Sequence, residues 1–193
     1  EGGVKFALSS AGLSGTIAAF RQTRNNVPLT DPFGILGTRQ IGQHRSKGVE
    51  ADVIWEPAKS FSLLASYAYT RAQVTKDADN AANVGAWLSR VPKHSGRVAA
   101  RYRFVDGALK GFGIGAGVTA ASGAYTTLPN TDKTKGYAVF DAQASYETGP
   151  FKISATVTNL TDKLYFQPYL YLNQSVVRPG TPRSAFVTFS VTY

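Results

Sequence analysis

Residues 151–158 read Phe-Lys-Ile-Ser-Ala-Thr-Val-Thr, an alternation of apolar and polar side chains. Successive side chains of a β-strand point to opposite faces, so this pattern predicts a strand with one apolar and one polar face. The same period of two recurs at residues 61–69 and 185–193, where most of the large apolar side chains again hold odd positions. The chain has no convincing helical stretch, and the pattern predicts an all-β protein.

The connections between the predicted strands alternate between short and long. The short ones are residues 9–12, 57–59, 105–109 and 149–150, and the long ones lie near 25–40, 75–92, 123–136 and 162–183. Outer-membrane β-barrels have tight periplasmic turns and longer extracellular loops. The layout therefore predicts antiparallel transmembrane strands of a β-barrel. The nine predicted strands are 3–9, 13–24, 41–56, 60–74, 93–104, 110–122, 137–148, 151–161 and 184–193.

Composition is compatible with this fold and excludes several kinds of site. The 193 residues contain no cysteine, so disulfide scaffolds and cysteine-ligated metals are excluded. The net charge is +9, but the basic residues are scattered and form no nucleic-acid-binding motif. The two histidines, His44 and His94, have no partner at metal-ligand spacing, and no nucleophile motif is present. We therefore expect neither an enzyme nor a bound metal or cofactor.

Aromatic side chains cluster near the short turns, at the alternate strand positions that point to the apolar face. Amphipathic aromatics settle at membrane interfaces, so these rings predict a belt at one interface. The residues of this predicted belt are Trp55, Phe61, Phe104, Tyr146, Phe151 and Tyr193.

The strand count predicts a segment of a larger barrel. If the long connections are extracellular, the last of nine strands runs toward the periplasm, and the first begins outside. Bacterial single-chain barrels have an even strand number and both ends in the periplasm. We therefore expect this segment, expressed alone, to aggregate and transport nothing, because its open edges are unpaired. The alternatives are a complete small outer-membrane β-barrel, for example of eight strands, and a soluble β-barrel binding module.

Four short strings between residues 40 and 193 resemble the C-terminal part of TonB-dependent siderophore receptors. They are Arg-Ser-Lys-Gly-Val-Glu at 45–50, Val-Pro-Lys-His-Ser at 91–95, Asn-Leu-Thr-Asp-Lys-Leu-Tyr at 159–165, and Arg-Pro-Gly-Thr-Pro-Arg at 178–183. Each has an architectural interpretation as well. Asn159 and Asp162, for instance, can hydrogen-bond nearby backbone and close the entry to a loop.

The resemblance implies that residues 1–193 are a C-terminal segment of a roughly 22-stranded barrel, without the plug domain that fills it. It places the protein in the outer membrane of a Gram-negative bacterium, in contact with outer-membrane lipid. It implies uptake of a ferric siderophore, energised by a TonB complex that acts through the missing N-terminal part. One departure is Tyr193, which stands where such barrels usually end in Phe.

Aromatic and cationic residues in the long connections are candidates for binding the chelate. Such groups suit a bulky and often anionic ferric chelate through stacking and charge. These six candidates are Trp87, Arg90, Tyr125, Tyr169, Tyr171 and Arg178.

Charged residues of the central strands are predicted to face the barrel lumen. Beside them, glycines at alternate positions from 111 to 117 leave a bare row on the same face. We expect arginines to reach across this row toward acidic residues or the plug, because two strands span roughly 10 Å. The predicted lumen-facing residues are Arg97, Arg101, Arg103, Asp141 and Glu147.

The apolar faces of the strands are predicted to contact lipid. The predicted membrane-facing residues are Phe61, Leu63, Ala65, Tyr67, Phe151, Ile153, Val157, Val187, Phe189 and Val191.

An arginine scan of the complete receptor that the resemblance implies separates the two faces of the sheet. Leu63→Arg or Ala155→Arg, on the apolar face, should cost about 2–4 kcal/mol because a charge then meets lipid. The same change at Ser66 or Thr156, on the polar face, should be nearly silent. Equal losses on both faces in a membrane-folding titration would contradict the assignment.

Overall fold

The computed structural model describes residues 1–30, 38–172 and 174–192, and in this part of the chain strands dominate. Two short 3-10 helices, at Ser9–Ala11 and Ala81–Asn83, accompany the strands. No helix in the described ranges is long and apolar enough to cross a membrane. The strands are β1 (Gly2–Leu8), β2 (Leu13–Thr30), β3 (Thr38–Ala58), β4 (Phe61–Lys76), β5 (His94–Arg103), β6 (Phe112–Ala121), β7 (Tyr137–Thr148), β8 (Phe151–Thr158), β9 (Phe166–Tyr171), β10 (Gln174–Pro179) and β11 (Ser184–Val191).

Nine of these strands form one antiparallel sheet in the order β1-β2-β3-β4-β5-β6-β7-β8-β11. This confirms the predicted all-β antiparallel fold, and each of the nine predicted strands has its counterpart. Among the described residues β1 and β11 do not pair, so the sheet is open at both edges. The arrangement therefore differs from the closed eight-stranded barrel considered as an alternative.

The hairpin of β9 and β10 was not predicted from the sequence. It lies within the predicted long connection 162–183 and forms a separate two-stranded sheet. Pro168 and Pro179, which argue against a central strand because proline has no N–H to donate, are paired positions of this hairpin. They are tolerated because a two-stranded ribbon consists of edges alone.

The predicted connection 25–40 was too long. Strands β2 and β3 continue into it and remain paired as far as Thr30 and Thr38. The pairing tolerates register shifts between Arg24 and Val27, where Asn26 has a positive φ of 54°. Such irregularities interrupt the alternation of side chains, which explains why the pattern did not predict a strand there.

The register gives the sheet one apolar and one polar face. Directly paired residues of antiparallel strands project to the same side. The pairs Leu63–Ala100 and Ile153–Phe189 belong to the apolar face, whereas Ser66–Arg97 belongs to the polar face. The predicted membrane-facing residues all share the apolar face, and they are Phe61, Leu63, Ala65, Tyr67, Phe151, Ile153, Val157, Val187, Phe189 and Val191.

The aromatic residues near the short turns form ring contacts along one edge of the sheet, which we call the tight-turn edge. The described members of the predicted belt take part in these contacts, whereas Tyr193 lies outside the described residues. The contacts, by distance between ring centroids, are Trp55–Phe61 at 5.7 Å, Tyr102–Phe104 at 5.0 Å, Phe112–Tyr146 at 4.6 Å and Phe151–Phe189 at 6.0 Å.

Asn159 closes the entry to the last long connection. Its side chain is 3% exposed and its backbone has a φ of 49°. The Nδ2 group donates to the carbonyl oxygens of Lys163 and Thr181, both at 3.0 Å, and Oδ1 accepts from the Lys163 N–H at 2.8 Å. Nearby, Asp162 Oδ1 accepts from the Arg183 N–H at 2.9 Å. These contacts confirm the architectural interpretation of Asn159 and Asp162.

Replacing Asn159 in the full-length protein that contains this chain should loosen this connection. Asn159→Ala leaves partly buried backbone groups without partners, at about 1 kcal/mol, and adds the strain of a left-handed alanine, at about 1 kcal/mol. Asn159→Gly removes the same hydrogen bonds without that strain. We therefore expect proteolysis within residues 160–183 to be fastest for the alanine variant, intermediate for the glycine variant and slowest for the unmodified protein. Leu160→Ala, at an exposed neighbour, is the control, and equal cleavage of Asn159→Ala and this control would contradict the role.

Candidate loop cleft and polar face

The long connections lie together at the edge opposite the tight turns, which we call the loop edge. Connection 77–93, between β4 and β5, folds back against the end of β4. The Gly85 N–H donates to the Val74 carbonyl and the Leu88 N–H to the Ala72 carbonyl, each at 2.9 Å. Ala72 and Val74 are almost fully buried, at 3% and 2% exposed. The connection is thus fixed by backbone hydrogen bonds to the sheet.

A carboxylate holds the start of the same connection. Asp77 accepts hydrogen bonds from the backbone N–H groups of Asp79 and Asn80 and from Asn83 Nδ2. Partial burial alone would raise the pKa of Asp77, but these hydrogen bonds outweigh it and hold that pKa below its ordinary value. Asp77 therefore has a structural role in the loop.

Two neighbouring connections are joined by a side chain. Asn130, in connection 122–136, accepts from the Trp87 N–H at 2.7 Å and donates to the Trp87 carbonyl at 2.8 Å. The Arg90 N–H donates to the Tyr125 carbonyl at 2.8 Å, with Arg90 at a φ of 68°. The two connections therefore form one connected surface.

The six predicted ligand residues fall into two groups at the loop edge. Trp87, Arg90 and Tyr125 belong to the joined connections, and Tyr169, Tyr171 and Arg178 belong to the β9–β10 hairpin. Four of the six, Trp87, Tyr125, Tyr169 and Arg178, already take part in cation–ring contacts within the chain. Lys93 Nζ lies 4.0 Å from the centroid of the Trp87 ring, Lys133 Nζ 5.4 Å from that of Tyr125, and the Arg178 guanidinium carbon 5.0 Å from that of Tyr169.

A cleft of about 890 Å³ lies between connection 122–136 and the β9–β10 hairpin. None of the six predicted ligand residues lines it. Its basic residues are Lys133, Lys135 and Lys163, opposed by Asp132, and Tyr165 and Phe166 supply aromatic surface. This volume is in the range of ligand pockets. The cleft therefore offers an excess of positive charge beside aromatic rings.

One wall of the cleft is anchored to the sheet. The Tyr165 ring lies 4.3 Å from the Tyr137 ring, and Gln167 Nε2 donates to the Tyr137 hydroxyl at 2.8 Å. Tyr165 also covers Gly180, where any side chain would collide with its ring. The string 178–183 therefore needs glycine at this position for a packing reason.

Sequence reasoning missed the cleft lysines although a signal was present. Residues 131–136 read Thr-Asp-Lys-Thr-Lys-Gly, and Lys163 falls in the string 159–165. These residues lie far apart in the sequence, and only the hairpin fold places Lys163 opposite Lys133 and Lys135.

On the polar face, Arg97 reaches across the glycine row. Its Nη1 lies 3.0 Å from Asp141 Oδ2 and 2.8 Å from Thr119 Oγ1. Gly117 lies between them, and an added Cβ there would come within 3.3 Å of the Arg97 guanidinium. The sequence predicted that arginines cross the glycine row to acidic residues, and Arg97 makes this contact with Asp141.

The other carboxylate oxygen of Asp141 connects the polar face to the loop edge. Asp141 Oδ1 accepts from the backbone N–H of Asn159 at 3.1 Å. The carboxylate therefore joins Arg97 of β5 to the residue that closes the last long connection.

The remaining predicted lumen residues do not form ion pairs within the described ranges. Arg101 leans over the row, with Nε 3.7 Å from the position of a Cβ on Gly113. Arg103 pairs in register with Gly113, and Glu147 with Lys152 on β8. All five predicted residues share the polar face, and their orientation toward a lumen remains a prediction. In the described part of the chain, no group of three or more His, Cys, Asp or Glu side chains could hold a metal ion.

Comparison with known proteins gives the family. A family model described as TonB dependent receptor-like, beta-barrel, matches residues 1–160. The metal-pseudopaline receptor CntO of Pseudomonas aeruginosa is 33% identical over 198 residues, covering 100% of this chain and 27% of that protein. The ferrichrome outer membrane transporter/phage receptor of Escherichia coli is 31% identical over 170 residues, covering 86% and 22%. The chain thus spans about a quarter of the length of these relatives.

Solved structures agree on the fold. The ferric preacinetobactin receptor BauA of Acinetobacter baumannii superposes with a TM-score of 0.82 at 23% identity, over 97% of this chain and 28% of that one. The ferric citrate transporter FecA gives a TM-score of 0.80 at 20% identity, over 98% and 30%. These matches confirm the antiparallel barrel architecture. The chain therefore belongs to the family of TonB-dependent receptor β-barrels, which lie in the outer membrane of Gram-negative bacteria.

Proposed function

We propose that the protein containing this chain is an outer-membrane receptor that imports a ferric siderophore with energy from TonB. The chain supplies barrel strands and a loop-edge cleft that contacts the chelate. The observation that carries this proposal is the cleft with Lys133, Lys135 and Lys163 beside Tyr165 and Phe166. Named functions of the relatives, which include receptors for ferric pyoverdine and ferrioxamine B, support it.

The lining of the cleft favours an anionic cargo. Three lysines against one aspartate leave a local excess of two positive charges, and a partly enclosed site strengthens their attraction for an anion. Lys side chains are flexible, so they can follow chelates of different shape, whereas the anchored Tyr165 provides a fixed stacking surface. A ferric complex with carboxylate or catecholate donors, which carries a net negative charge, fits this description.

The polar face supports the transport part of the proposal. Arg101 and Arg103 carry no ion pair within the described ranges, and they lie on the polar face beside the bare glycine row. A plug domain inside the barrel would meet these guanidinium groups, which suit carboxylates and backbone carbonyls. In this proposal the plug and the segment that contacts TonB belong to parts of the receptor outside this chain.

The cargo part is tested in the complete receptor by the double variant Lys133→Gln/Lys135→Gln. Loss of two partly exposed charges should weaken binding of an anionic ferric siderophore about tenfold, and less at high salt, which screens the interaction. The measurement is the dissociation constant for purified receptor, with a neutral ferric chelate as comparison.

The control is Lys59→Gln/Lys110→Gln, which removes the same charge from exposed positions at the tight-turn edge. Unchanged affinity in the cleft variant, or equal losses in both variants, would contradict the role of the cleft. Uptake of radioactive iron in cells with and without TonB tests the transport step separately. Receptor-dependent uptake that persists without TonB would contradict the energy coupling.

A further inference from the structure

Basic residues form a row on the apolar face, at its end toward the loop edge. Arg21 of β2 pairs in register with Lys47 of β3, and Lys47 pairs with Arg71 of β4. Neighbouring strands lie about 4.8 Å apart, so three positive charges stand side by side on one surface. All three side chains are exposed. We call these three residues the basic row.

In the described strands, no carboxylate shares the face that carries the basic row. The carboxylates of the central strands, including Glu50, Asp52 and Asp141, all lie on the polar face. Within the described ranges none of the three basic residues forms an ion pair. Arg71 donates from Nε to Gln73 Oε1 at 2.9 Å, and its guanidinium carbon lies 6.0 Å from the centroid of the Trp87 ring. Three like charges in adjacent positions repel one another, and a bound anion would relieve this repulsion.

Arg45 adds a fourth cation to this surface. It lies two positions beyond Lys47, in the next outward row with Thr23 and Gln73. Its Nε is buried and has no hydrogen-bond partner among the described residues. A buried donor without a partner is costly, so an anion that met the Arg45 guanidinium would relieve this cost.

The depth of the basic row matches a membrane interface. Lys47 lies eight positions from Trp55, and Arg71 eight positions from Leu63, which is the partner of Trp55. A transmembrane β-strand of about 9–11 residues spans the apolar layer, so the belt at the tight-turn edge and the basic row mark its two sides. Tyr69 and His94, with ring centroids 5.1 Å apart, lie directly below the basic row, where interfacial aromatics are expected.

An apolar groove runs beneath these residues on the same face. It has a volume of about 350 Å³ and is open because Ala65, Gly96 and Ala120 are small. Tyr67 and His94 line its upper end, where the Tyr67 hydroxyl lies 2.8 Å from His94 Nδ1. A groove of this shape accommodates a hydrocarbon chain whose head group lies at the level of the basic row.

We propose that the basic row, together with Arg45, binds the phosphate groups of a phosphorylated lipid in the outer leaflet, and that one acyl chain of this lipid occupies the groove. Guanidinium groups bind phosphate through paired hydrogen bonds, and lysine adds a point charge. The position favours a lipid over a free phosphate, because the charges stand directly above apolar surface that faces the bilayer. The inference is independent of the cargo.

The test uses the complete receptor in detergent with purified lipopolysaccharide as the probe. Arg21 and Lys47 are exposed and form no side-chain hydrogen bond, ion pair or ring contact within the described ranges, so Arg21→Gln/Lys47→Gln should fold normally. Each basic residue near an anionic lipid surface strengthens binding. Loss of both should therefore weaken the binding of lipopolysaccharide about 30-fold. The charge-preserving variant Arg21→Lys/Lys47→Arg should stay within about threefold of the unmodified protein. Lys59→Gln/Lys110→Gln, at the tight-turn edge, controls for net charge.

Two further arms identify the chemical group. Lipopolysaccharide whose lipid phosphates have been removed should bind the unmodified receptor about as weakly as the intact lipid binds the double variant. Millimolar inorganic phosphate should not compete. The proposal is overturned if the double variant binds the intact lipid normally, if dephosphorylated lipid binds as well as intact lipid, or if free phosphate displaces it.

Discussion

Pairing of the backbone hydrogen-bonding groups is the constraint on which the rest of this structure depends. Hydrocarbon offers no partner to an N–H or C=O group, so a strand in the membrane must pair on both sides. The nine strands follow one another in an antiparallel meander, which satisfies this requirement with short turns at one edge. Every other feature is arranged on this frame. Apolar side chains share one face of the sheet, the carboxylates of the central strands lie on the other, and the long connections lie at the loop edge.

Charged side chains on the polar face are accommodated by ion pairing and by glycines that leave space for them. Arg97 crosses above Gly117 to Asp141, because a glycine on the intervening strand leaves the path open. Asp141 in turn accepts from the Asn159 N–H, so one carboxylate serves both a strand and a loop entry. Because the partners lie on different strands, the pair also opposes a slip in register between β5 and β7.

How much of the structure the sequence predicted depends on how far apart in the sequence the interacting residues lie. Alternation is a local property, so the nine strands and the face of Leu63 or Phe189 could be predicted from neighbouring residues. Asn159 was also predictable, because its side chain acts on backbone close by. The cleft was not, since Lys163 meets Lys133 only after the β9–β10 hairpin has formed. The hairpin was not predicted because Pro168 and Pro179 argue against a central strand. Both prolines are tolerated here because a two-stranded sheet has only edge strands.

The separation of the β9–β10 hairpin from the main sheet has an evolutionary consequence. The hairpin shares no ladder with the nine strands, and its attachments are concentrated at its base, around Asn159, Tyr165 and Gly180. Insertions or replacements toward its tip, where Leu172 is 81% exposed, therefore leave the register of the nine-stranded sheet unaltered. Selection can change the shape and charge of one cleft wall while the nine strands keep their sequence constraints. Such modular divergence allows one barrel to present different loop surfaces without refolding its strands.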